Sequence, residues 1–257
     1  MIAVEGVVKR FGAHTVLDGV SLTVAPGEVV TILGSSGSGK STLIRCVNGL
    51  ETLDGGRISV DGLDVADPRQ LAQARRLSAT VFQLFNLYPH MTVLRNLTLA
   101  PELVLKRPKA EVEGQARALL ASVGLAGKAN SYPGQLSGGQ RQRVGICRAL
   151  AMNPRYLLLD EVTSALDPEM TAEVLAILGR LATQGTTMLF VTHEVEFARR
   201  ISTRIVFLDQ GRLIVDLPTD QFFAVDGGLA HPRIHQFLSK MAPSSTAPAA
   251  PVAEMPA

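Results

Sequence analysis

One short segment, residues 34–41, constrains the fold of this chain more than any other. It reads Gly-Ser-Ser-Gly-Ser-Gly-Lys-Ser, follows the apolar run Val29–Leu33 and opens a helical pattern over residues 40–48. Glycines at this spacing let successive backbone N–H groups face one anion, and the helix adds the positive end of its dipole. The pattern is that of a phosphate-binding loop in a β-α unit. The sequence therefore predicts an α/β fold with a phosphate site where this strand meets this helix.

Within this loop, Lys40 and Ser41 are the residues with an assigned chemistry. A lysine at this position reaches the β- and γ-phosphates of a nucleotide, and the following serine holds Mg²⁺. An ordinary glycine-rich turn is the alternative, but the complete pattern with its flanking strand favours the phosphate loop. The nucleotide contacts predicted here are Ser36, Gly37, Ser38, Gly39, Lys40, Ser41 and Thr42.

Two adjacent carboxylates end a second apolar strand, Tyr156–Asp160. Asp160 falls at the carboxyl edge of the predicted sheet, where ligands of open α/β sheets bind, and it suits a Mg²⁺ shell. Glu161 follows directly and can point at an attacking water while Asp160 serves the metal. A solvated acidic turn is the alternative interpretation, and the phosphate loop in the same chain weighs against it.

A second pair of glycines opens a helix after the sequence Leu-Ser-Gly-Gly-Gln at residues 136–140. Such a helix start again offers backbone N–H groups to an anion. One nucleotide does not need two phosphate cradles from one chain. We therefore expect each nucleotide to lie between the phosphate loop of one copy and this second cradle of another copy, formed by Ser137, Gly138, Gly139 and Gln140.

Strands and helices alternate over most of the chain, which predicts a mostly parallel, helix-covered sheet. The segments 2–8 and 16–24 instead alternate apolar and polar residues between glycine-containing turns, as antiparallel strands do. Further strands are predicted at 57–60, 79–82, 156–160, 186–192 and 204–208, and further helices at 141–152, 169–181 and 194–201.

The domain organisation follows from the same patterns. Helical periodicity between residues 93 and 124 predicts a helical insert lobe, about 92–152, within one domain covering 1–240. Residues 241–257 are rich in Pro, Ala and Ser, and we expect them to form a disordered tail.

Composition excludes several classes of protein. A net charge of +2 with scattered arginines gives no basic stripe, so a nucleic-acid partner is not expected. No apolar run approaches the length of a membrane helix, and the first fifteen residues contain no signal-peptide block, so we expect the chain to stay in the cytoplasm. Cys46 and Cys147 lack the spacing of a disulfide framework or zinc site and are predicted to be reduced, packed thiols.

The motifs together resemble those of the ATP-binding-cassette (ABC) ATPase family. They are the phosphate loop at 34–41, the signature at 136–140, Leu-Asp-Glu at 159–161 and Ser-Ala-Leu-Asp at 164–167, in the family's order. The resemblance covers nearly the whole chain. It implies a phosphate-loop NTPase core with an antiparallel β subdomain and a helical lobe, ATP and Mg²⁺ as cofactors, and a head-to-tail dimer.

Five further residues receive roles from this resemblance. Phe11 matches the aromatic residue that stacks on adenine, and Val16 the apolar residue beside it. Gln83 matches a glutamine that senses Mg²⁺ and the water, and Asp167 an aspartate in the loop linking the two subunits. His193 matches the switch histidine near the γ-phosphate. The implied catalytic residues are Glu161, His193 and Gln83, and the implied metal ligands are Ser41, Gln83 and Asp160.

Three segments are similar to those of the polar-amino-acid uptake branch of the family: residues 85–93, 209–212 and 231–233. This similarity implies a membrane permease, docked at 85–93, and indirectly a solute-binding protein, with the chain on the cytoplasmic face of the membrane. A buried core loop is the alternative for 85–93. Alternative functions are an ABC exporter subunit or an ABC protein that does not serve transport.

Val162 departs from the family pattern, in which proline usually follows the glutamate. Proline would restrict Glu161 to extended backbone angles. Valine is β-branched and favours an extended conformation itself. We therefore expect the exit from the strand to remain extended and hydrolysis to be retained.

Overall fold

The computed structural model describes residues 1–224, 228 and 231–241, which form two β-sheets covered by helices. The strands are β1 (Ile2–Phe11), β2 (His14–Val24), β3 (Val29–Leu33), β4 (Gly55–Val60), β5 (Leu63–Asp64), β6 (Ser78–Val81), β7 (Tyr156–Asp160), β8 (Thr187–Val191), β9 (Arg204–Asp209) and β10 (Arg212–Pro218). The helices are α1 (Lys40–Val47), α2 (Pro68–Leu77), α3 (Val93–Val104), α4 (Lys109–Ser122), α5 (Gly138–Ala151), α6 (Pro168–Thr183), α7 (Val195–Ile201), α8 (Thr219–Phe222) and α9 (Pro232–Met241).

The larger sheet has six strands in the order β10-β9-β3-β8-β7-β6. All neighbours in it are parallel except β9 and β10, which form an antiparallel hairpin. Every residue of β3, β7 and β8 is buried, as expected for apolar strands covered on both faces. Because β3 and β7 both flank β8 in parallel, their carboxyl ends meet at one edge, and the phosphate loop therefore lies beside Asp160. The predicted mostly parallel sheet is confirmed.

The smaller sheet is antiparallel, in the order β2-β1-β4-β5, as the alternating pattern of the first residues predicts. The two faces of the larger sheet join different cores. Leu157 and Leu159 of β7 pack in the cluster that includes the inner faces of α3, α4 and α5, whereas Leu158 packs with α1 and the smaller sheet. This division follows from the two-residue period of a strand.

The helices α3, α4 and α5 form one packed group through residues such as Leu97, Ala116 and Val144. Residues 85–92 are attached to this group by Asn96, whose side-chain amide donates to the carbonyl groups of Tyr88 and Met91. The division into one domain, 1–240, with a helical lobe at about 92–152 stays a prediction.

The sequence patterns did not predict the last strand and the last helix of the described chain. They placed the last strand at 204–208, but β10 pairs with β9 through a turn at Gln210 and Gly211, and α9 packs behind them. Met241 still belongs to α9. The rest of the predicted tail lies outside the described residues. Within the described ranges, no helix has the length and apolar character needed to cross a membrane.

Candidate nucleotide-binding site

The phosphate loop leaves β3 in a tight path that requires glycine at two points. A Cβ atom on Gly34 would lie 2.0 Å from the carbonyl oxygen of Leu208, and one on Gly39 would lie 2.8 Å from that of Val16. Gly39 also has a φ of 101°, in the left-handed region that favours glycine. It stands directly before α1, so the loop brings its backbone to the start of a helix, as an anion site needs.

Lys40 lies inside this loop and is bound to it. The ammonium Nζ donates to the carbonyl oxygens of Gly34 and Ser35, each at 2.9 Å, and the residue is only 4% exposed. Burial lowers the pKa of Lys40, and the nearby carboxylates of Glu161 and Asp160 oppose that change. A phosphate entering the loop would replace the two carbonyl groups as the partner of this ammonium.

Ser41 and Asp160 lie in direct contact at the edge of the sheet. The Ser41 hydroxyl donates to Oδ1 of Asp160 at 2.6 Å. Burial raises the pKa of Asp160, and the hydrogen bond from Ser41 opposes this effect. Both groups offer hard oxygen atoms of the kind that Mg²⁺ prefers, and Mg²⁺ commonly takes one or two such ligands together with substrate phosphates and water. The donor set therefore fits the predicted metal.

Glu161 follows β7 and faces His193, which follows β8. Oε1 of Glu161 lies 2.9 Å from Nε2 of His193. This hydrogen bond lowers the pKa of Glu161, against the opposing effect of its burial. The side chain is thus held as a carboxylate beside the phosphate loop, in the form that can accept a proton.

The backbone at Glu161 differs from the expected extended exit. Its φ is 47°, in the left-handed region that few residues other than glycine adopt. The Glu161 N–H donates to the carbonyl of Val191 at 3.0 Å, and its own carbonyl accepts from the N–H of Ser164 at 3.2 Å. Val162 is buried in the core beneath. Tertiary contacts on both sides of Glu161 thus override the local preference of Val162, and the expectation of an extended exit is wrong at this residue.

A cavity of about 450 Å³ lies over the phosphate loop. It is lined by His14, Val16, Ser36, Gly37, Ser38, Gly39, Lys40, Ser41, Thr42 and Glu161. Phe11 lies near this region, 48% exposed at the end of the β1–β2 hairpin, but does not line the cavity. His14 was missed by sequence reasoning. Its signal was its spacing from Val16, since residues two apart on a strand share a face.

The residues of the second predicted cradle begin helix α5, and their role in binding an anion stays a prediction. Ser137 caps α5, its hydroxyl accepting from the N–H of Gln140 at 3.3 Å. The N–H of Gly139 donates to Sδ of Met170 at 3.1 Å, which joins this segment to α6. Asp167 caps α6 by accepting from the Met170 N–H at 2.9 Å. Neither Asp167 nor any residue of 137–140 lines the cavity of the same chain.

Gln83 is exposed between β6 and the helical group, and it also does not line the cavity. A second cavity, of about 550 Å³, opens nearby between the segment 85–93 and α3. Tyr88, Leu103 and Val104 are among its apolar lining residues. Leu87, by contrast, is partly buried against the core, so the segment is not a wholly exposed surface.

A phosphate loop after a buried strand, with a serine and an aspartate in contact and a glutamate beside them, defines a nucleotide-hydrolysing protein of the phosphate-loop class. The sequence model of the family described as ABC transporter matches residues 17–164. This chain belongs to the ABC transporter family and is an ATPase subunit of it.

Several characterised proteins are similar over most of the chain. The glutamine transport ATP-binding protein GlnQ of Geobacillus stearothermophilus is 52% identical over 87% of this chain and 93% of its own length. The glutamate/aspartate import ATP-binding protein GltL of Escherichia coli K12 is 51% identical over 87% of this chain and 93% of its own length. The L-cystine transport system ATP-binding protein TcyN of Escherichia coli K12 is 49% identical over 93% of this chain and 97% of its own length.

Solved structures show the same fold. The ATP-binding cassette MJ0796, solved as a dimer in a post-hydrolysis state bound to ADP and Pi, has a TM-score of 0.76 at 35% identity and covers 85% of this chain and 99% of that one. The cassette MJ1267 in its ADP conformation has a TM-score of 0.76 at 27% identity and covers 93% of this chain and 98% of that one.

Proposed function

We propose that this chain powers a membrane importer of polar amino acids by binding and hydrolysing ATP. The observation that carries the chemistry is the Ser41–Asp160 pair beside Glu161 at the phosphate loop. Relatives about half identical to this chain support the cargo class, since they are named for the transport of glutamine, glutamate/aspartate and L-cystine.

The residues of the cavity divide the work on ATP. The backbone of 36–42 and the ammonium of Lys40 bind the phosphates, and Ser41 with Asp160 would hold Mg²⁺, whose charge offsets that of the phosphates. Glu161 accepts a proton from the attacking water, and His193 holds the Glu161 carboxylate in place. Val16 and Phe11 bind the base, and Gln83 senses Mg²⁺ and the attacking water.

The second cradle acts on the nucleotide of another copy. Ser137 and its neighbours begin a helix outside the cavity of their own chain, which supports a role at the nucleotide of another copy. A head-to-tail pair brings Ser137 to Gly139 of one copy over the phosphate loop of the other. Asp167 lies next to this cradle through Met170 and joins the contact between copies.

The cavity beside 85–93 receives the permease at the cytoplasmic face of the membrane, and a solute-binding protein delivers the cargo to that permease. Tyr88, Leu103 and Val104, which are exposed and line it, give this surface its apolar character. Its closeness to Gln83 lets movement of the permease reach the site of hydrolysis.

Cells from which the gene has been deleted test this function. We expect loss of uptake of one or more radiolabelled polar amino acids, restored by the wild-type gene and not by Lys40→Ala. Phosphate release by the purified chain should require Mg²⁺ and fall sharply in Asp160→Asn. Unchanged uptake of glutamine, glutamate, arginine and cystine in cells that lose ATPase activity would contradict the cargo class and leave the ATPase assignment standing.

A further inference from the structure

The turn between β9 and β10 packs directly against the phosphate loop. The N–H of Gly211 donates to the carbonyl oxygen of Ser38 at 3.2 Å. Gly34 lies so close to the Leu208 carbonyl that no side chain fits between them. Both contacts come from a part of the chain, after residue 207, to which the proposed chemistry assigns no role. The phosphate loop therefore has a structural support from the carboxyl-terminal part of the described chain.

Asp209 is the centre of this support. Its Oδ1 accepts the hydroxyl of Ser35 at 3.1 Å, and the same carboxylate is bound twice by the guanidinium of Arg233. Those two contacts are Nε to Oδ2 at 2.8 Å and Nη2 to Oδ1 at 3.1 Å. Asp209 is only 7% exposed. A forked guanidinium contact fixes the plane of a carboxylate, so Arg233 determines which way Asp209 points.

Arg233 is itself held by the packing of α9. Ile234 and Phe237 of this helix are buried, and the rings of Phe237 and Phe207 meet edge to face with centroids 5.4 Å apart. Phe207 belongs to β9, the strand that leads to Asp209. The helix and the turn therefore form one unit, and the half-exposed side chain of Arg233 reaches the buried carboxylate from a helix that is anchored by its neighbours.

Ser35 joins this unit to the lysine of the phosphate loop. Its side chain is bound to Asp209, and its carbonyl oxygen accepts from the ammonium of Lys40 at 2.9 Å. A chain of contacts thus runs from α9 through Arg233, Asp209 and Ser35 to Lys40.

We propose that Arg233 is a positioning residue for the phosphate loop, acting through Asp209 and Ser35, so that the docking of α9 sets the affinity for nucleotide. The proposal rests on the nucleotide site proposed above. Lys40 must exchange its loop carbonyls for a phosphate, and the loop must hold its shape while it does so. Fixing Ser35 in advance reduces the ordering cost of binding, and this is the physical source of the expected affinity.

The affinity of the purified full chain for a fluorescent ADP analogue tests the proposal. We expect Arg233→Ala and Ser35→Ala each to weaken binding by about threefold to tenfold, the range of one net hydrogen bond. Because both substitutions break the same chain of contacts, the double variant should have the same nucleotide affinity as the single variant that binds less tightly. In ATP hydrolysis, KM should rise while kcat at saturating ATP keeps its wild-type value.

Arg212→Ala is the matched control. Arg212 forms an exposed ion pair with Asp18 on the other side of the same turn, and its Nη2 lies 2.7 Å from Oδ2 of that residue. Loss of this pair should leave nucleotide affinity unchanged, since both of its side chains are exposed and Arg212 touches neither Asp209 nor Ser35. Equal weakening in Arg212→Ala and Arg233→Ala would overturn the proposal.

Two results separate this inference from the site on which it depends. Lys40→Ala should abolish binding; if it binds as wild type, the nucleotide site itself is wrong. If Lys40→Ala fails to bind but folded Arg233→Ala binds as wild type, or its effect adds fully to that of Ser35→Ala, only the positioning role is wrong. Should Arg233→Ala not fold, Arg233→Lys serves instead, because it keeps the charge without the fork and is expected to weaken binding only in the presence of Ser35.

Discussion

The imidazole Nε2 of His193 lies 2.9 Å from Oε1 of Glu161, so that the ends of two neighbouring parallel strands meet in one hydrogen bond. This bond lowers the pKa of Glu161, and the burial of the carboxyl group acts in the opposite direction. The carboxylate therefore stays ionised to lower pH than an ordinary glutamate. A proton acceptor at this position is ready at every pH above that lowered value.

His193→Ala is expected to raise the pKa of Glu161, because it removes the group that stabilises the carboxylate. The fall of kcat at acidic pH should therefore begin at a higher pH. Turnover at neutral pH should also fall by about 10- to 100-fold, because the base loses its position. Phosphate release measured as a function of pH checks this. His193→Gln is the matched control, since its amide can still donate to Glu161. A fall of kcat at the same acidic pH in all three proteins would contradict the role of this hydrogen bond.

Glu161→Gln removes the proton acceptor but keeps the shape of the side chain. We expect hydrolysis to fall by about 10²- to 10⁴-fold while ATP still binds, because the loop and Lys40 are untouched. Closed dimers should accumulate with ATP and are measured by light scattering. Glu196→Gln, an exposed glutamate in α7, should keep wild-type turnover. Hydrolysis at the wild-type rate in Glu161→Gln would assign the proton transfer to another group.

Val162→Pro tests how the backbone presents Glu161. Proline disfavours the left-handed φ of 47° seen at Glu161 and should shift it to extended angles, which a crystal structure would reveal. We expect turnover to change by less than about tenfold, or roughly 1.4 kcal/mol of barrier. Val162→Ala should lower the stability and leave the Glu161 backbone as it is. A wild type as slow as Glu161→Gln, rescued by Val162→Pro, would mean that the native chain is not an active ATPase.

The head-to-tail pairing predicts a disulfide between chains. A Ser36→Cys chain mixed with a Ser137→Cys chain should crosslink when ATP is trapped, with both chains also bearing Glu161→Gln. Ser36 is chosen because it is exposed, whereas Ser38 is buried. The native thiols should not compete, since burial raises the pKa of Cys46 to about 11 and that of Cys147 to about 12. Equal crosslinking without nucleotide would contradict an ATP-dependent dimer.

Tyr88→Glu tests the docking surface. Tyr88 is 44% exposed, so a charge there should prevent amino-acid uptake in cells and leave the ADP affinity of the purified chain unchanged. Leu87 is less suitable, because it packs partly on the core and its replacement would also lower the stability of the fold. Leu50→Glu, at an exposed apolar residue outside the cavity beside 85–93, is the control and should keep uptake. Uptake unaffected by Tyr88→Glu would show that the permease does not dock on this surface.

Local patterns made much of this molecule predictable from the sequence. The phosphate loop, β3, β7 and β8 could be located because a buried parallel strand is a continuous apolar run, and because the glycines of the loop meet a local backbone requirement. The position of Asp160 at the ligand-binding edge of the sheet was predicted from the rule that ligands bind at the carboxyl ends of parallel strands.

Contacts between distant segments were decided only by the tertiary structure. Val162 favours an extended chain, yet hydrogen bonds to Val191 and from Ser164 accompany a left-handed Glu161. Arg233 and Ser35 are far apart in the sequence and share the carboxylate of Asp209 only because β9 lies beside β3 in the sheet. Sequence spacing encodes the conformation of neighbouring residues, whereas the partner of a buried charge depends on which surfaces the whole fold brings together.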